Sequence, residues 1–166
     1  MAKVEFGGID EYAKKLGELW KDERKIIESA VYEGAGIVAD EIKEGLKGIP
    51  IQEGKNGLPP RGDSKNKLTG ISRKQKQDLI AGFGLSPMED SGDFINTKAG
   101  FEGYGSIKTK KYPKGTPNAM LMRSVESGTS FREKRPTVRP AVNRAKKRAQ
   151  EAMEKELDKQ IKERME

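Results

Sequence analysis

The 166-residue chain contains no cysteine and no histidine. Without cysteine there can be no disulfide and no thiol nucleophile, and without either residue there can be no Cys/His zinc site. The lack of histidine also excludes a Ser-His-Asp triad and removes the side chain that ordinarily titrates near pH 7. We therefore predict that the protein is not an enzyme and has no catalytic, cofactor-binding or metal-binding residues. A catalytic carboxylate pair of Glu126 and Asp93 is the remaining enzymatic alternative, and nothing in the sequence places these two residues together.

Long apolar runs are missing as well. Hydrophobic residues make up 33% of the chain and aromatic residues 6%, whereas 36% of the residues are charged. No stretch approaches the ~20 apolar residues of a membrane span, and the N-terminal residues lack the apolar core of a secretory signal. We expect no membrane contact, synthesis in a cytoplasm, and a single domain over residues 1–166 with a modest core.

Positive charge is concentrated in residues 131–148, which we call the basic segment. This segment has eight Lys or Arg residues and one Glu, so its net charge of +7 equals that of the whole chain. Such a density of charge favours nucleic acid or an acidic protein surface as a partner, and a solvated helix face is the alternative. The residues predicted to form a partner-facing or channel-facing surface are Arg132, Lys134, Arg135, Arg139, Arg144, Lys146, Lys147 and Arg148.

The first half of the chain is dominated by one helical pattern. Apolar residues recur at steps of three or four from Ile9 to about Lys47, which predicts a helix of ~58 Å. A short edge strand is predicted before it, around Val4 and Phe6. Gly34 and Gly36 interrupt the helical pattern. We interpret them as a bend, and the alternative is a close approach of another backbone.

The middle of the chain alternates loops with short elements. Gly48–Gly70 is rich in Gly, Pro and Asn and predicts a long mobile loop. Ser72–Ile80 and Ala119–Val125 are predicted to be short helices. Asp93–Gly103 alternates like a half-buried strand, and Ile107–Tyr112 is predicted to return as its partner.

The chain ends in a second long helix, predicted to protrude over residues 137–165, with Thr137 as N-cap and Pro140 in the first turn. From Ala141 onward, every fourth residue is apolar. Because a step of four residues advances 400° in an α-helix, this stripe drifts by ~40° per step. We expect the early part to face the core and the late part to contact a neighbouring subunit. The predicted subunit interface consists of Met153, Leu157 and Ile161. Together these elements predict an α+β fold in which the long N-terminal and C-terminal helices pack on a small antiparallel sheet.

A set of short motifs resembles a known family. Met122–Ser130 reads Met-Arg-Ser-Val-Glu-Ser-Gly-Thr-Ser and is followed by Arg139-Pro140-Ala141. This order resembles the gene-product-ten-like tail-component family of long-tailed phages and prophages. Supporting matches are Val4–Asp10, Thr69-Gly70 and Gly100–Tyr104. Each match is short, but their order and spacing extend the resemblance over nearly the full chain. One departure is Pro136-Thr137, where the family usually has Pro-Phe. The motif residues with an implied structural role are Glu126, Gly128, Thr129, Pro140 and Ala141.

The resemblance implies a structural role in phage morphogenesis. A member of this family would act in the neck, in tail completion and head–tail joining, without a cofactor or catalytic residues. It would be located in the virion neck or tail, and in the host cytoplasm during assembly. The implied partners are connector or head-completion proteins and tail-terminator or tail-tube proteins. A homo-oligomeric ring and transient contact with phage DNA are consistent with the amphipathic helices and the basic segment.

The alternative function is that of a basic nucleic-acid-binding protein. The charge of the basic segment supports it. Against it, no aromatic residue lies within Arg132–Arg148, so a platform for stacking bases is missing there. No helix-turn-helix or other recognition motif is evident in the sequence.

Overall fold

The computed structural model describes residues 9–166. In chain order the elements are α1 (Ile9–Lys47), a 3₁₀ turn (Lys55–Gly57), α2 (Arg73–Gly82), β1 (Phe83–Leu85), β2 (Glu89–Asp90), β3 (Ile95–Asn96), β4 (Ala99–Phe101), α3 (Asn118–Ser127) and α4 (Val138–Met165). Strand β1 pairs antiparallel with β4, and β2 pairs antiparallel with β3. The predicted α+β class, with long N-terminal and C-terminal helices and a small antiparallel sheet, is confirmed. The strand predicted at Val4 and Phe6 lies outside the described residues.

The two long helices run antiparallel along each other. Near the start of α4, Ala141 lies close to Gly45 of α1. At the other end, Arg164 contacts Asp22 and the Lys15 amine binds the carbonyl of Met165. In the structure, α4 therefore packs along α1 over its length, with its early and late parts both contacting the same helix of the same chain.

Small residues allow the two helix backbones to approach closely. Ala141, Ala145 and Ala149 of α4 are all buried. A Cβ built at Gly34 of α1 would lie 2.6 Å from Met153 Cγ and 3.4 Å from the carbonyl oxygen of Ala149. Helix α1 continues through Gly34 without interruption. The structure thus shows a close approach of α4 at Gly34, whereas a Cβ built at Gly36 would meet nothing within 4 Å. A bend at these glycines stays a prediction.

The core lies where the first part of α4 and the last part of α1 meet the shorter elements. Ile42 and Leu46 of α1 are fully buried against Leu79 of α2 and against Leu121 and Val125 of α3. Together with Ala141 of α4, these side chains join four helices. Farther along, α1 and α4 pack mainly on each other, and the β2–β3 hairpin is attached to α1 through Arg24, whose guanidinium pairs with Asp90 at 2.7 Å. The molecule thus has a packed end and a two-helix end.

Helix α2 has a complete capping box at its start. The Ser72 hydroxyl accepts a hydrogen bond from the Gln75 N–H at 3.2 Å, and the Gln75 side chain accepts one from the Ser72 N–H at 3.0 Å. This reciprocal pair satisfies two backbone donors that a helix N-terminus leaves free. The helix predicted over Ser72–Ile80 is confirmed with a start at Arg73, and the predicted Ala119–Val125 helix corresponds to α3.

The strands are shorter than predicted. The Asp93–Gly103 segment divides into β3 and β4, because Thr97 and Lys98 hydrogen-bond to Ser86 and interrupt the alternation. The strand predicted at Ile107–Tyr112 is wrong, since these residues form no strand. Instead, Ser106 binds the Asp78 carboxylate, and a turn closes from Thr109 to Tyr112.

The segment predicted as a mobile loop, Gly48–Gly70, makes several defined contacts. The Gln52 side chain accepts hydrogen bonds from the N–H groups of Thr69 and Gly70, and Leu68 is buried. The Leu68 backbone bonds to the carbonyl of Phe131. Through these contacts the segment lies against the connection between α3 and α4. Its mobility stays a prediction. No helix among the described residues is long and apolar enough to cross a membrane.

Candidate interaction surfaces

The connection between α3 and α4, residues 128–137, is a tightly folded loop that we call the junction. Gly128 adopts a φ of 73°, and a Cβ built there would lie 2.9 Å from the backbone nitrogen of Lys134. Only glycine combines this left-handed conformation with so close a backbone neighbour. Thr129 and Arg132 then bond to each other through their backbones and reverse the chain. The motif glycine thus fixes the path that leads into α4.

Glu126 anchors the first turn of α4 to the last turn of α3. Its carboxylate accepts hydrogen bonds from the N–H groups of Thr137, Val138 and Arg139 at 2.7, 2.9 and 3.0 Å. These donors would otherwise be unpaired at a helix N-terminus, where a negative charge also interacts favourably with the helix dipole. Thr137 does occupy the N-cap position, as predicted, but its side chain makes no capping bond to the helix. The cap is supplied by Glu126 instead.

The contacts of Glu126 with the N-terminus of α4 lower the pKa of its carboxyl group. Burial by itself would raise the pKa of its carboxyl group, but the three backbone N–H donors and the nearby charge of Arg139 lower it more. The net result is a pKa below the ordinary value of 4.5. The carboxylate therefore stays charged to a lower pH than that of an ordinary glutamate.

The five motif residues with an implied structural role all lie at or beside this junction. Glu126 and Gly128 lie at the end of α3, and Thr129 lies in the turn. Pro140 occupies the first turn of α4, and Ala141 is completely buried beside Gly45. The structure brings together motif residues that are up to fifteen positions apart in the sequence, and each has a local structural role there.

The basic residues predicted to form one surface have three different environments. Arg132 is only 5% exposed, and its Nη1 donates to the carbonyl of Gly70. Arg132 is therefore not part of the exposed surface that the other predicted basic residues form. Arg132 is internal because the pairing of Leu68 with the junction directs it beneath the Gly48–Gly70 segment.

Two further arginines are paired within the chain. Arg144 Nε and Arg148 Nη2 donate to the two oxygens of the Glu41 carboxylate at 2.8 and 2.6 Å. Hydrogen bonds from Arg144 and Arg148 hold the pKa of Glu41 below its usual value. Both arginines remain more than half exposed, so they are accessible at the surface while their charge is partly balanced by α1.

The remaining five predicted residues form the exposed part of the basic segment. They share high exposure and lie on the junction and the first turns of α4: Lys134, Arg135, Arg139, Lys146 and Lys147. Among them, Lys147 lies 3.9 Å from Glu151, a distance at which an exposed pair is weak. We call these five residues the exposed basic patch.

The predicted subunit-interface residues face α1 of the same chain. Met153 lies against Gly34, and Leu157 and Ile161 line a shallow apolar groove beside Trp20 and Ile27. We call it the Trp20 groove. Trp20 is 72% exposed and Ile161 41% exposed, so the two-helix end leaves a large apolar surface uncovered. A role of these residues in a subunit interface stays a prediction.

The exposure of Trp20 was not predicted from the sequence. Leu19 and Trp20 are adjacent members of one helical stripe, and adjacent residues point about 100° apart, so both cannot face α4. Leu19 is half-buried, whereas Trp20 is exposed. Two adjacent apolar residues at one position of the helical stripe were the feature of the sequence that could have indicated an exposed aromatic residue.

Among the described residues, no group of acidic side chains could hold a metal ion. No family model gives a significant match to the chain, and neither does any curated protein or solved structure.

Proposed function

We propose that the protein is a structural component of phage assembly that acts at the neck, in tail completion and head–tail joining. The observation that supports this proposal most is the arrangement of the motif residues at the junction. The five motif residues between Glu126 and Ala141 meet at one place, where Glu126 and Gly128 determine how α4 leaves α3. A motif whose members hold a helix in a defined direction fits a protein that acts by positioning surfaces.

The distribution of surfaces supports the proposal. The packed end presents the exposed basic patch, and the two-helix end presents the Trp20 groove. A subunit with different surfaces at its two ends can contact one copy of itself or one partner at each end, which is how heterologous contacts close into rings. The proposed partners are the connector or head-completion proteins on one side and the tail-terminator or tail-tube proteins on the other.

The proposal is tested by removing the protein from a phage or prophage that encodes it. We expect electron micrographs of the resulting lysate to show filled heads and separate tails, and purified protein to restore joined particles. As a control, we expect purified Glu126→Gln protein, which keeps the surfaces but weakens the cap, to restore joining less well at 37 °C than at 20 °C. Normal joined particles in the absence of the protein would refute the proposed function.

A basic nucleic-acid-binding protein is the second candidate, and the exposed basic patch is the observation that favours it. The charge available is smaller than the sequence suggests, because Arg132 is buried and two arginines share Glu41. We therefore expect weak DNA binding that decreases steeply with salt. Neutralising Lys134, Arg135 and Arg139 should abolish this binding. Tight, sequence-specific binding by a monomer would favour the second candidate over the first.

A further inference from the structure

A groove of about 400 Å³ lies between the Gly48–Gly70 segment, the junction and α3. Its walls are mainly apolar and include Pro59, Pro60, Tyr112, Met120 and Phe131, and the exposed Arg61 also lines it. Met120 is 47% exposed and Phe131 44% exposed, so two of the largest wall side chains are only partly covered by the rest of the chain. We call this the Arg132 groove, because Arg132 also lines it.

Arg132 is a buried cation without a compensating anion. The residue is only 5% exposed, and its Nε has no hydrogen-bond partner among the described residues. Its Nη1 donates to the Gly70 carbonyl, a neutral group. Among the described residues, no carboxylate lies within ion-pair distance of the guanidinium, although other arginines of the chain have such partners.

Such a charge is costly to leave uncompensated. A buried ion normally requires an opposite charge or several hydrogen bonds to offset the loss of hydration. Burial lowers the pKa of Arg132, which shows that its surroundings disfavour the charged form. Apolar walls cannot balance the charge, but they strengthen its attraction for an anion because they exclude water.

We propose that the Arg132 groove binds a segment of a partner protein in which a carboxylate side chain is flanked by apolar side chains. The apolar side chains would pack against Tyr112, Met120 and Phe131, and the carboxylate would balance the charge of Arg132. A free inorganic anion would leave the apolar walls unused, and an uncharged apolar segment would leave the cation uncompensated. This site is separate from the exposed basic patch and does not depend on the proposed role in phage assembly.

The first test uses a fluorescein-labelled peptide, Gly-Leu-Glu-Phe-Glu-Leu-amide, and the same peptide with glutamine in place of both glutamates. Binding to the full chain is measured by fluorescence anisotropy. We expect the glutamate peptide to bind at least about tenfold more tightly than the glutamine peptide, the difference typical of a charge-assisted contact. Equal affinities, or no binding of the glutamate peptide, would overturn the proposal.

Matched aromatic substitutions locate the binding site. Phe131→Ala should weaken binding of the glutamate peptide about tenfold, because it removes a wall of the groove. Trp20→Ala, which removes an exposed aromatic side chain from the Trp20 groove, should leave the affinity unchanged. The reverse pattern would show that the peptide binds elsewhere and would contradict the assignment.

Arg132→Met separates a binding role from a structural one. Replacing a buried charge by an apolar side chain is often tolerated, so we expect the variant to fold and to lose the preference for glutamate over glutamine. A folded variant that keeps the preference would overturn the proposal. Should the variant not fold, the pair Met120→Glu and Met120→Gln gives the same information. We expect the Glu variant to melt at a higher temperature than the Gln variant and to reject the glutamate peptide, and equal behaviour of the two would contradict the proposal.

Discussion

The two ends of the α1–α4 pair are built by different means. At the packed end, Ala141 of α4 lies against Gly45 of α1 and belongs to the buried cluster that joins both helices to α2 and α3. At the two-helix end, the contacts are exposed polar pairs such as Arg164 with Asp22, around apolar side chains that stay partly uncovered. The packed end is stabilised by burial within the chain, whereas the two-helix end has surface left for something else to cover. One sequence stripe, apolar at every fourth residue, thus produces a core at one end and an exposed groove at the other.

The largest effect should come from truncating one leucine at each end. Leu46→Ala at the packed end should lower the free energy of unfolding by about 3 kcal/mol, because the side chain is fully buried. Leu157→Ala should cost about 1 kcal/mol, since that residue lies in a shallow groove and is only half-buried. Urea denaturation of both variants measures the difference. Equal losses would mean that the two ends are packed alike.

The cap supplied by Glu126 should give the next largest effect. Glu126→Gln should reduce the free energy of unfolding by about 1 kcal/mol at pH 7, because it removes the charge that faces the N-terminus of α4. The pKa of Glu126 is lower in the folded state than its ordinary value of 4.5. The contribution is therefore present above that value and is lost as the pH falls through the lowered pKa. Melting temperatures of the two proteins should converge below that pKa, and a constant difference across the pH range would contradict this role.

Two glycines of α1 provide a matched pair of smaller effects. A Cβ at Gly36 meets nothing within 4 Å, so Gly36→Ala should stabilise the protein by roughly 0.5–1 kcal/mol through its better helix propensity. At Gly34, the same change pushes against Met153 and the Ala149 carbonyl and should destabilise by about 1 kcal/mol. Thermal unfolding of both variants tests the close approach. Stabilisation by both would show that the helices do not meet closely at Gly34.

The smallest effect is expected from the polar contacts of the two-helix end. Asp22→Asn, which weakens the contact with Arg164, should change the free energy of unfolding by less than about 0.5 kcal/mol, as is usual for exposed pairs. Hydrogen exchange should nevertheless be faster for amides near Asp22 than near Leu46 in the unaltered protein. Equal protection at both ends would refute the contrast between them.

The helices could be predicted from the sequence, whereas the contacts between them could not. The apolar period identified α1 and its end at Lys47, and Thr137 and Pro140 indicated the start of α4, because these signals are local properties of the sequence. The single strand predicted over Asp93–Gly103 is interrupted at Thr97 and Lys98, because side-chain hydrogen bonds with Ser86 override the alternating pattern. Such hydrogen bonds join residues about eleven positions apart, so no periodic pattern in the sequence indicates them.

For the candidate surfaces too, local features could be predicted from the sequence, whereas contacts between distant segments could not. The sequence located the basic segment, but it could not separate Arg132, which is buried, from Arg139, which is exposed. That difference depends on the pairing of Leu68 with the junction, a contact between segments more than sixty positions apart. The capping role of Glu126 could not be predicted either, because Glu126 lies in α3 and the N–H groups that it caps lie at the start of α4.

The most direct test of the central claim is the position of the protein in an assembled particle. Purified particles of a phage that encodes this chain would be labelled with a gold-conjugated antibody against it and imaged by electron microscopy. The proposed function predicts gold at the junction of head and tail in joined particles, and at one end of tails or heads in unjoined ones. Particles that lack the protein, or gold spread over the capsid surface, would contradict it.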